Sequence, residues 1–374
     1  MNAELLYMMA LTKIPKLNFC HQRQLLELLG SACAVYENRN NILDVIPEAS
    51  PALGQQVALM DSYLQRCEEE IHWANSHRVE CISINDNHYP VRLKECSDAP
   101  LVLYSMGNAN LNTRRIVSIV GTRKITDYGR RLCEKFIAEL SELCPDVLVV
   151  SGLAYGVDIY SHRQALQNQL NTIGVLAHGL DQIYPTLHRQ TAKEMLEHGG
   201  LLTEFMSQTT MSKRYFLQRN RIVAGCADAT IVVESASHGG SLVTAEIAQG
   251  YGREVFAFPG RITDHNSAGC NTLISTNAAA MLLSAEDFIY SMGWQEDVKL
   301  KKNLRDGIQQ ELFPQFSDEE QLIVNLLSKQ DKMQFNSILL VTGLPTGKLS
   351  GLLFTLEMRG VVRMMPGGMY ALNM

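Results

Sequence analysis

The 374-residue chain lacks the features that mark several common classes of protein. Its nine cysteines contain no Cys-x-x-Cys pair, so the spacing typical of a zinc site or a redox motif is missing. No apolar run approaches the roughly 20 residues that span a bilayer, and the first residues lack the basic region and cleavage site of a signal peptide. We therefore expect a cytoplasmic protein with reduced thiols, no bound metal and no membrane insertion.

The chain also lacks an excess of positive charge. Its 33 Lys and Arg are outnumbered by 39 Asp and Glu, which gives a formal net charge of -6. Any attraction to nucleic acid must therefore come from a local concentration of basic side chains. The composition, 46% hydrophobic and 19% charged, is typical of a folded globular protein, and the length suggests two or three domains.

The sequence divides into three folded segments and a linker. Residues 1–78 carry apolar side chains at helical spacing, interrupted by Pro and Gly, which predicts a helical domain of the SAM or helix-hairpin-helix kind. A packing or dimerisation module and a DNA-contacting hairpin are both consistent with this pattern. Residues 79–290 form the predicted central domain, residues 291–316 a charged linker, and residues 317–374 a small third domain.

In the central segment, apolar strands alternate with helices of ten or more residues. This order predicts an α/β domain with a Rossmann-like, mostly parallel sheet and helices on both faces. The predicted strands are 116–120, 147–150, 172–177, 229–233 and 254–258.

The third segment predicts a winged helix. Ser317 and Glu320 have the spacing of a capping box at the start of a helix. Two further helices, near residues 334–341 and 347–359, precede two short strands about a Pro-Gly-Gly turn. Three helices and a hairpin are the parts of a winged-helix domain.

Three turns rich in small residues follow predicted strands and precede helices. They are Gly121-Thr122-Arg123, Ser151-Gly152 and Gly240-Ser241. Such turns expose backbone N–H groups to an anion, and parallel strands bring them to one edge of the sheet. Gly-x-Gly-x-x-Gly is absent at Gly121, so we expect no dinucleotide and no other cofactor. The alternative is that each turn only joins a strand to a helix.

The most informative segment runs from residue 212 to residue 221. It places four basic residues and two aromatic ones together, with no acidic residue from 206 to 226. Basic side chains follow a phosphate backbone while aromatic rings stack on bases, as single-stranded nucleic acid requires. The alternative is a solvated helix with an aromatic ring in the core. The candidate DNA contacts are Lys213, Phe216, Arg219, Asn220 and Arg221.

Longer motifs support a family resemblance. The chain closely resembles the DprA family, also called Smf, of bacterial natural transformation. The resemblance covers about 200 residues and rests, beyond the turns above, on Tyr89-Pro90, Pro100 to Tyr104, Asp181 to Pro185, Arg219 to Gly225, Gly252 to Gly260 and Ser267 to Ile274.

The resemblance implies a function and three residue roles. It implies a protein that coats incoming single-stranded DNA, protects it from nucleases and loads the RecA recombinase, acting as a homodimer through its Rossmann-like domain. It implies no catalysis. By motif position, the phosphate-binding Arg of the family falls on Arg123, its DNA-contacting Lys on Lys213 and its base-stacking Phe on Phe216.

Two other interpretations compete with this one. Gly239 and Gly240, followed by Thr244 and Glu246, loosely match the signature of nucleotide-binding Rossmann enzymes of the phosphoribohydrolase type. The winged helix, with only Lys348 and Arg359 near its presumed recognition helix, has little charge for duplex DNA and could instead bind protein.

Overall fold

A computed structural model describes residues 2–47, 49–295, 316–328, 330, 332–365 and 368–372. The chain forms two compact units, Met1–Val298 and Lys299–Met374. Most of the predicted linker, from residue 296 to residue 315, lies outside the described residues.

The first unit is built on a nine-stranded sheet with the order β1-β2-β6-β5-β4-β3-β7-β8-β9. Strands β3 to β9 pair in parallel, while β2 lies antiparallel to both β6 and β1. The strands are β1 Glu80–Ser83, β2 Val102–Gly107, β3 Ile116–Val120, β4 Leu148–Ser151, β5 Thr172–Val175, β6 Gly199–Thr203, β7 Ala229–Val232, β8 Glu254–Ala257 and β9 Ala280–Met281.

The central strands are covered on both faces, which is why their sequences are almost uninterrupted apolar runs. Every residue of β3, β4, β5 and β7 is buried. Alternate residues enter separate cores, since Ile116 and Val120 pack on one face while Val117 and Ile119 pack on the other. The predicted mostly parallel α/β sheet is confirmed, and the five predicted strands agree with β3, β4, β5, β7 and β8 to within two residues at either end.

Fourteen α-helices surround this sheet in the described part of the first unit. They are α1 Ala3–Lys13, α2 Phe19–Leu29, α3 Ala32–Glu37, α4 Ile42–Val45, α5 Pro51–Val57, α6 Asp61–Ser76, α7 Val91–Lys94, α8 Asp127–Leu143, α9 Val157–Gln167, α10 Arg189–Met195, α11 Lys213–Gly225, α12 Gly240–Gly250, α13 Ala268–Ser275 and α14 Ala285–Ser291. Short 3-10 turns occupy 58–60, 186–188 and 265–267.

The N-terminal helices α1 to α6 share one apolar core with a face of the sheet. Polar contacts reinforce the packing, because the Arg66 guanidinium donates to the Ser207 carbonyl over 2.6 Å and to the Glu70 carboxylate over 2.7 Å. The Ser207 hydroxyl and amide also donate to Glu70. The helical character predicted for residues 1–78 is therefore observed, and these helices are built onto the sheet.

The order of the strands reverses at β3. From β3 the chain adds β4, β5 and β6 on one side, and then crosses to β7 on the other side. In sheets of this kind, the two strands at the reversal are followed by loops that run to opposite faces of the sheet. The loops leave a crevice at the carboxyl ends of these two strands. The turns after β3 and β7 therefore mark the place where a ligand would bind.

The second unit is a winged helix, as the sequence predicts. It contains α15 Asp318–Leu327, α16 Phe335–Thr342 and α17 Thr346–Met358, with strands β10 Met333–Gln334, β11 Val362–Met365 and β12 Met369–Leu372 in a separate sheet. The predicted capping box is present, since the Ser317 hydroxyl accepts from the Glu320 amide and the Glu320 carboxylate accepts from the Ser317 amide.

Within the described residues, no single helix is both long and apolar enough to cross a membrane. The pair α16 and α17 passes that test only when the two helices are joined, and they are bent by 115°.

Candidate nucleic-acid interface

A groove of about 540 Å³ lies at the reversal point of the sheet. It is bounded by the turns after β3, β4 and β7 and by helices α11 and α12. We call it the main groove. Its principal lining residues are Gly121, Thr122, Arg123, Gly152, Asp158, Tyr184, Lys213, Phe216, Arg219, Asn220, Ser235, Gly239, Gly240, Ser241 and Thr244.

The turn after β3 forms the first wall. The Thr122 amide donates to the Glu234 carbonyl over 2.7 Å, which fastens this turn to the end of β7. A Cβ at Gly121 would lie 2.4 Å from the Val157 Cγ2 atom, so only glycine allows α9 to approach this closely. Arg123 follows on the exposed rim of the groove.

The turn after β4 holds a buried arginine beneath the groove. A Cβ at Gly152 would lie 1.9 Å from Nη1 of Arg219, so glycine makes room for that guanidinium. Arg219 is only 4% exposed, and its Nη1 donates to the Val175 carbonyl over 2.6 Å. Its position is fixed by the sheet edge rather than by solvent.

Asp158 lies beside Arg219 at the start of α9. Burial raises the pKa of the Asp158 carboxyl, while the positive charge of Arg219 opposes that rise. Burial likewise lowers the pKa of Arg219, and the Asp158 carboxylate opposes that shift. The two charges therefore stabilise each other under the groove, and Arg219 is only partly available to neutralise a bound phosphate.

Helix α11 supplies the second wall. Ser212 caps its first turn, and Lys213 is exposed at that end. Phe216, one turn further on, is partly buried, and the Arg123 guanidinium lies 5.6 Å from the centre of its ring. The Asn220 side-chain amide donates to the Gly240 carbonyl over 3.3 Å, so α11 and the start of α12 are joined across the groove.

The turn after β7 completes the site. Gly239 and Gly240 are exposed, and Gly240 begins α12, so the first N–H groups of this helix lie at the groove. Ser241 is buried, and its hydroxyl donates to the Ser235 hydroxyl over 3.0 Å. A helix N-terminus with small residues in front of it favours an anion.

The charge of the main groove is unbalanced. Among the described residues that line it, Asp158 is the only carboxylate, and Arg219 already faces it. Arg123 and Lys213 form no ion pair within the described chain. Two exposed cations, an aromatic ring and a helix N-terminus therefore face one groove, as phosphate and base binding requires.

Ten of the twelve candidate residues line the main groove. The two exceptions are Ser151 and Arg221. Ser151 is buried inside the sheet, where its hydroxyl donates to the Ile119 carbonyl over 2.6 Å. It supports the turn and does not line the groove.

Arg221 is placed on the other side of α11 and is not a groove residue. Its guanidinium forms a buried ion pair with Glu204, donates to the Asp98 carbonyl and lies 4.0 Å from the centre of the Phe19 ring. This side chain joins helix α2 to the sheet domain. Arg221 therefore has a structural role, and its predicted contact with DNA is not supported.

Asp158 and Tyr184 also line the groove, although no role was predicted for either from the sequence. Asp158 follows a glycine turn, a position that could have pointed to it. Tyr184 lies nine residues beyond the end of β5, in a loop whose path no local pattern predicts.

The hydrolase interpretation depends on Glu246. Glu246 is exposed on α12 and is not among the residues that line the main groove. Glu234, another acidic residue near this edge, accepts from the Thr126 hydroxyl over 2.6 Å and from its amide over 2.9 Å. The positions of these two carboxylates do not favour a glycosidic bond-breaking site.

Comparison with known proteins identifies the family of the chain. Residues 80–293 match the family described as DNA recombination-mediator protein A, and residues 311–368 match the DprA winged helix domain. The DNA processing protein DprA of Mycobacterium tuberculosis is 38% identical over 225 residues, which cover 57% of this chain and 57% of that protein. The chain thus aligns with little more than half the length of this relative.

Two solved structures are similar over most of their own length. DprA of Streptococcus pneumoniae superposes with a TM-score of 0.65 and 32% identity, covering 78% of this chain and 98% of that one. DprA of Helicobacter pylori, solved to explain its single-stranded DNA binding mode, gives a TM-score of 0.53 and 29% identity, covering 58% of this chain and 97% of that one. The chain belongs to the DprA/Smf family of DNA processing proteins.

Proposed function

We propose that this protein binds single-stranded DNA in the main groove. The proposal rests on one observation. Two cations that lack an ionic partner in the described chain, Arg123 and Lys213, line the same groove as the Phe216 ring of α11. The H. pylori relative, whose structure concerns single-stranded DNA binding, supports the same assignment.

Each part of the groove has a role in this proposal. Arg123 and the N-terminus of α12 bind backbone phosphates, and Lys213 neutralises a neighbouring one. Phe216 stacks on a base, and a base can stack on a side chain in this way only when it is unpaired. The groove therefore prefers a single strand to a duplex.

We further propose that binding protects the strand and delivers it to a RecA recombinase. Family membership supports this role, and the groove supports a function without bond-breaking chemistry. Asp158 is the only carboxylate in the described lining, and it is buried near the charge of Arg219. The expected role is to hold a strand and pass it on.

We propose that the protein acts as a homodimer through its first unit. Strand β9 lies at one edge of the large sheet, and apolar side chains are exposed on β9 and after it. Met281 is 54% exposed, Leu283 60% and Tyr290 74%. A second copy placed on this edge would cover an open strand and apolar surface together. Light scattering of the wild type and of Met281→Lys tests this point, and equal monomer masses for both would contradict it.

The recombinase role is tested by the rate at which RecA forms filaments on single-stranded DNA already covered by a single-strand binding protein. The wild-type chain should accelerate filament formation, and Lys213→Ala combined with Phe216→Ala should abolish the acceleration. Lys193→Ala removes an exposed lysine outside the groove and should behave as wild type. No acceleration by a wild-type protein that still binds the strand would limit the function to protection.

A further inference from the structure

A second, smaller pocket of about 100 Å³ lies next to the main groove. Arg123, Tyr184 and Phe216 line both spaces, so they form the partition between them. The smaller pocket has walls of its own, which we call the side pocket. They are Tyr155, Leu176, Ala177, His178 and Pro185.

The walls of the side pocket are aromatic and apolar. The Tyr184 ring meets the Phe216 ring edge to face, with 6.0 Å between centres. The Tyr155 ring meets the His188 ring in the same way at 5.1 Å. Tyr155 and Tyr184 are each 44% exposed, and neither hydroxyl makes a hydrogen bond within the described chain. Part of each ring is therefore free to contact a ligand.

The side pocket also contains a buried histidine. His178 is 1% exposed, and its Nδ1 lies 2.8 Å from the Gly179 carbonyl oxygen. Burial lowers the pKa of its imidazole, and hydrogen bonds to the Gly179 and Tyr184 backbones oppose that shift. The backbone of the loop therefore holds this ring as part of the pocket wall.

Size and charge indicate what the side pocket holds. Its volume is less than a fifth of that of the main groove, so it suits one ring system rather than a nucleotide chain. Its described lining contains no acidic residue, and its only fully charged residue is Arg123, on the boundary. A phosphate bound by Arg123 would leave a neighbouring base beside the opening.

We propose that the side pocket is a second base subsite, which receives an unpaired nucleobase from the strand whose phosphate lies at Arg123. This inference rests on the proposed single-stranded DNA binding. It gives Tyr155 and Tyr184 the role of holding a base on the side of Phe216 away from the main groove. A base that enters the pocket must leave its pair, so the subsite adds to the discrimination against duplex DNA.

The first test measures the affinity of a dodecamer of deoxythymidine and of an abasic strand of equal length. Tyr155→Ala should weaken binding of the dodecamer about 5- to 150-fold, the range expected for loss of one stacked base. The same variant should leave binding of the abasic strand unchanged, since that strand has no base to place in the pocket. Tyr155→Phe keeps the ring and should bind both strands as wild type does.

The second test locates the base directly. A dodecamer that carries 5-iododeoxyuridine is irradiated on the wild-type protein, and the crosslinked peptides are identified by mass spectrometry. We expect crosslinks at Tyr155 or Tyr184 in addition to any at Phe216.

The outcomes separate the two proposals. If the wild type binds the dodecamer but Tyr155→Ala binds it equally well, the subsite is wrong and the main groove stands. An equal loss on the dodecamer and the abasic strand would also overturn the subsite, because Tyr155 would then act only on the shape of the groove. If the wild type fails to bind the dodecamer, the proposed function fails and the subsite with it.

Discussion

The main groove and the winged helix both carry basic residues, but they use them differently. In the groove, Arg123 and Lys213 form no ion pair in the described chain. In the winged helix, the Lys348 ammonium lies 2.5 Å from a Glu319 carboxylate oxygen, and Arg359 lies 3.4 Å from Glu320. A cation that already has an acidic partner gains less from a phosphate, so this difference supports the proposal that nucleic acid binds in the groove.

The exposed apolar residues of the winged helix agree with this difference. On α17, Phe354 is 64% exposed and Met358 is 74% exposed, although this is the position of a recognition helix. Proteins that bind duplex DNA through a recognition helix need basic and polar side chains on that helix to reach phosphates and base edges. That this unit binds protein rather than duplex DNA therefore stays a prediction, and the two ion pairs of its cations support it.

The largest expected effect comes from removing both groove cations. Arg123→Ala combined with Lys213→Ala should weaken binding of a poly-dT strand by about 100-fold or more, because two charged hydrogen bonds of about 1.5–3 kcal/mol each are lost. The slope of log affinity against log salt should also become shallower by about 1.4. Fluorescence anisotropy at several salt concentrations measures both effects. An unchanged salt slope would break the assignment of phosphate binding to these residues.

The next largest effect is expected on protein stability, from removal of a cation whose acidic partner is buried. Arg221→Met should lower the free energy of unfolding by about 3 kcal/mol, because it leaves Glu204 buried and unpaired. Urea denaturation measures this loss. The folded variant should keep wild-type affinity for DNA, and a large loss of affinity would return Arg221 to the DNA interface.

The same variant has a predicted dependence on pH. Burial raises the pKa of the Glu204 carboxyl, and Arg221 opposes that rise. Without Arg221 the folded pKa should rise further above the unfolded one, so protonation favours the folded variant. The stability gap between variant and wild type should therefore be smallest near the ordinary pKa of glutamate, widen as the pH rises towards the raised pKa of the variant, and stay constant above it. A gap that is constant with pH would show that Glu204 is not the cause.

A smaller effect is expected at the aromatic ring of the groove. Phe216→Ala should cost about 1–3 kcal/mol of binding free energy on a base-containing strand, the usual contribution of one stacked base. Phe216→Trp keeps a stacking surface and serves as the control. If binding of an abasic strand falls as much as binding of poly-dT, then Phe216 does not stack on a base.

The smallest effect is expected in the winged helix. Lys348→Ala combined with Arg359→Ala should change the free energy of unfolding by less than about 1 kcal/mol per ion pair, since both cations are about half exposed. Affinity for single-stranded DNA and for a duplex should stay within a factor of about two of wild type. Loss of duplex binding in an electrophoretic mobility assay would contradict the comparison between the two regions.

The sheet and the groove were predictable because their signals are local. Apolar runs marked β3, β4 and β7, and the small residues after them marked turns that parallel strands bring to one edge. Lys213, Phe216 and Asn220 recur at helical spacing, so they share one face of α11.

The side of a helix that meets a distant segment was not predictable. Arg221 follows Asn220 by one position, about 100° further around the helix, and there it meets Glu204 and Phe19. Phe19 is far from the groove motifs in the sequence, and Glu204 directly follows β6, so the cluster of basic residues alone could not separate Arg221 from Lys213. Ser151 was misplaced for a similar reason, because a strand residue alternates between faces and its hydroxyl met the neighbouring strand.

The most direct test of the central claim is a titration of fluorescent poly-dT and of the matching duplex, at two salt concentrations, with the wild type and with the Arg123→Ala, Lys213→Ala variant. We predict tight, salt-sensitive binding of the single strand by the wild type, weaker binding of the duplex, and loss of the single-strand affinity in the variant. Equal binding of strand and duplex, or binding unaffected by the two substitutions, would contradict the account.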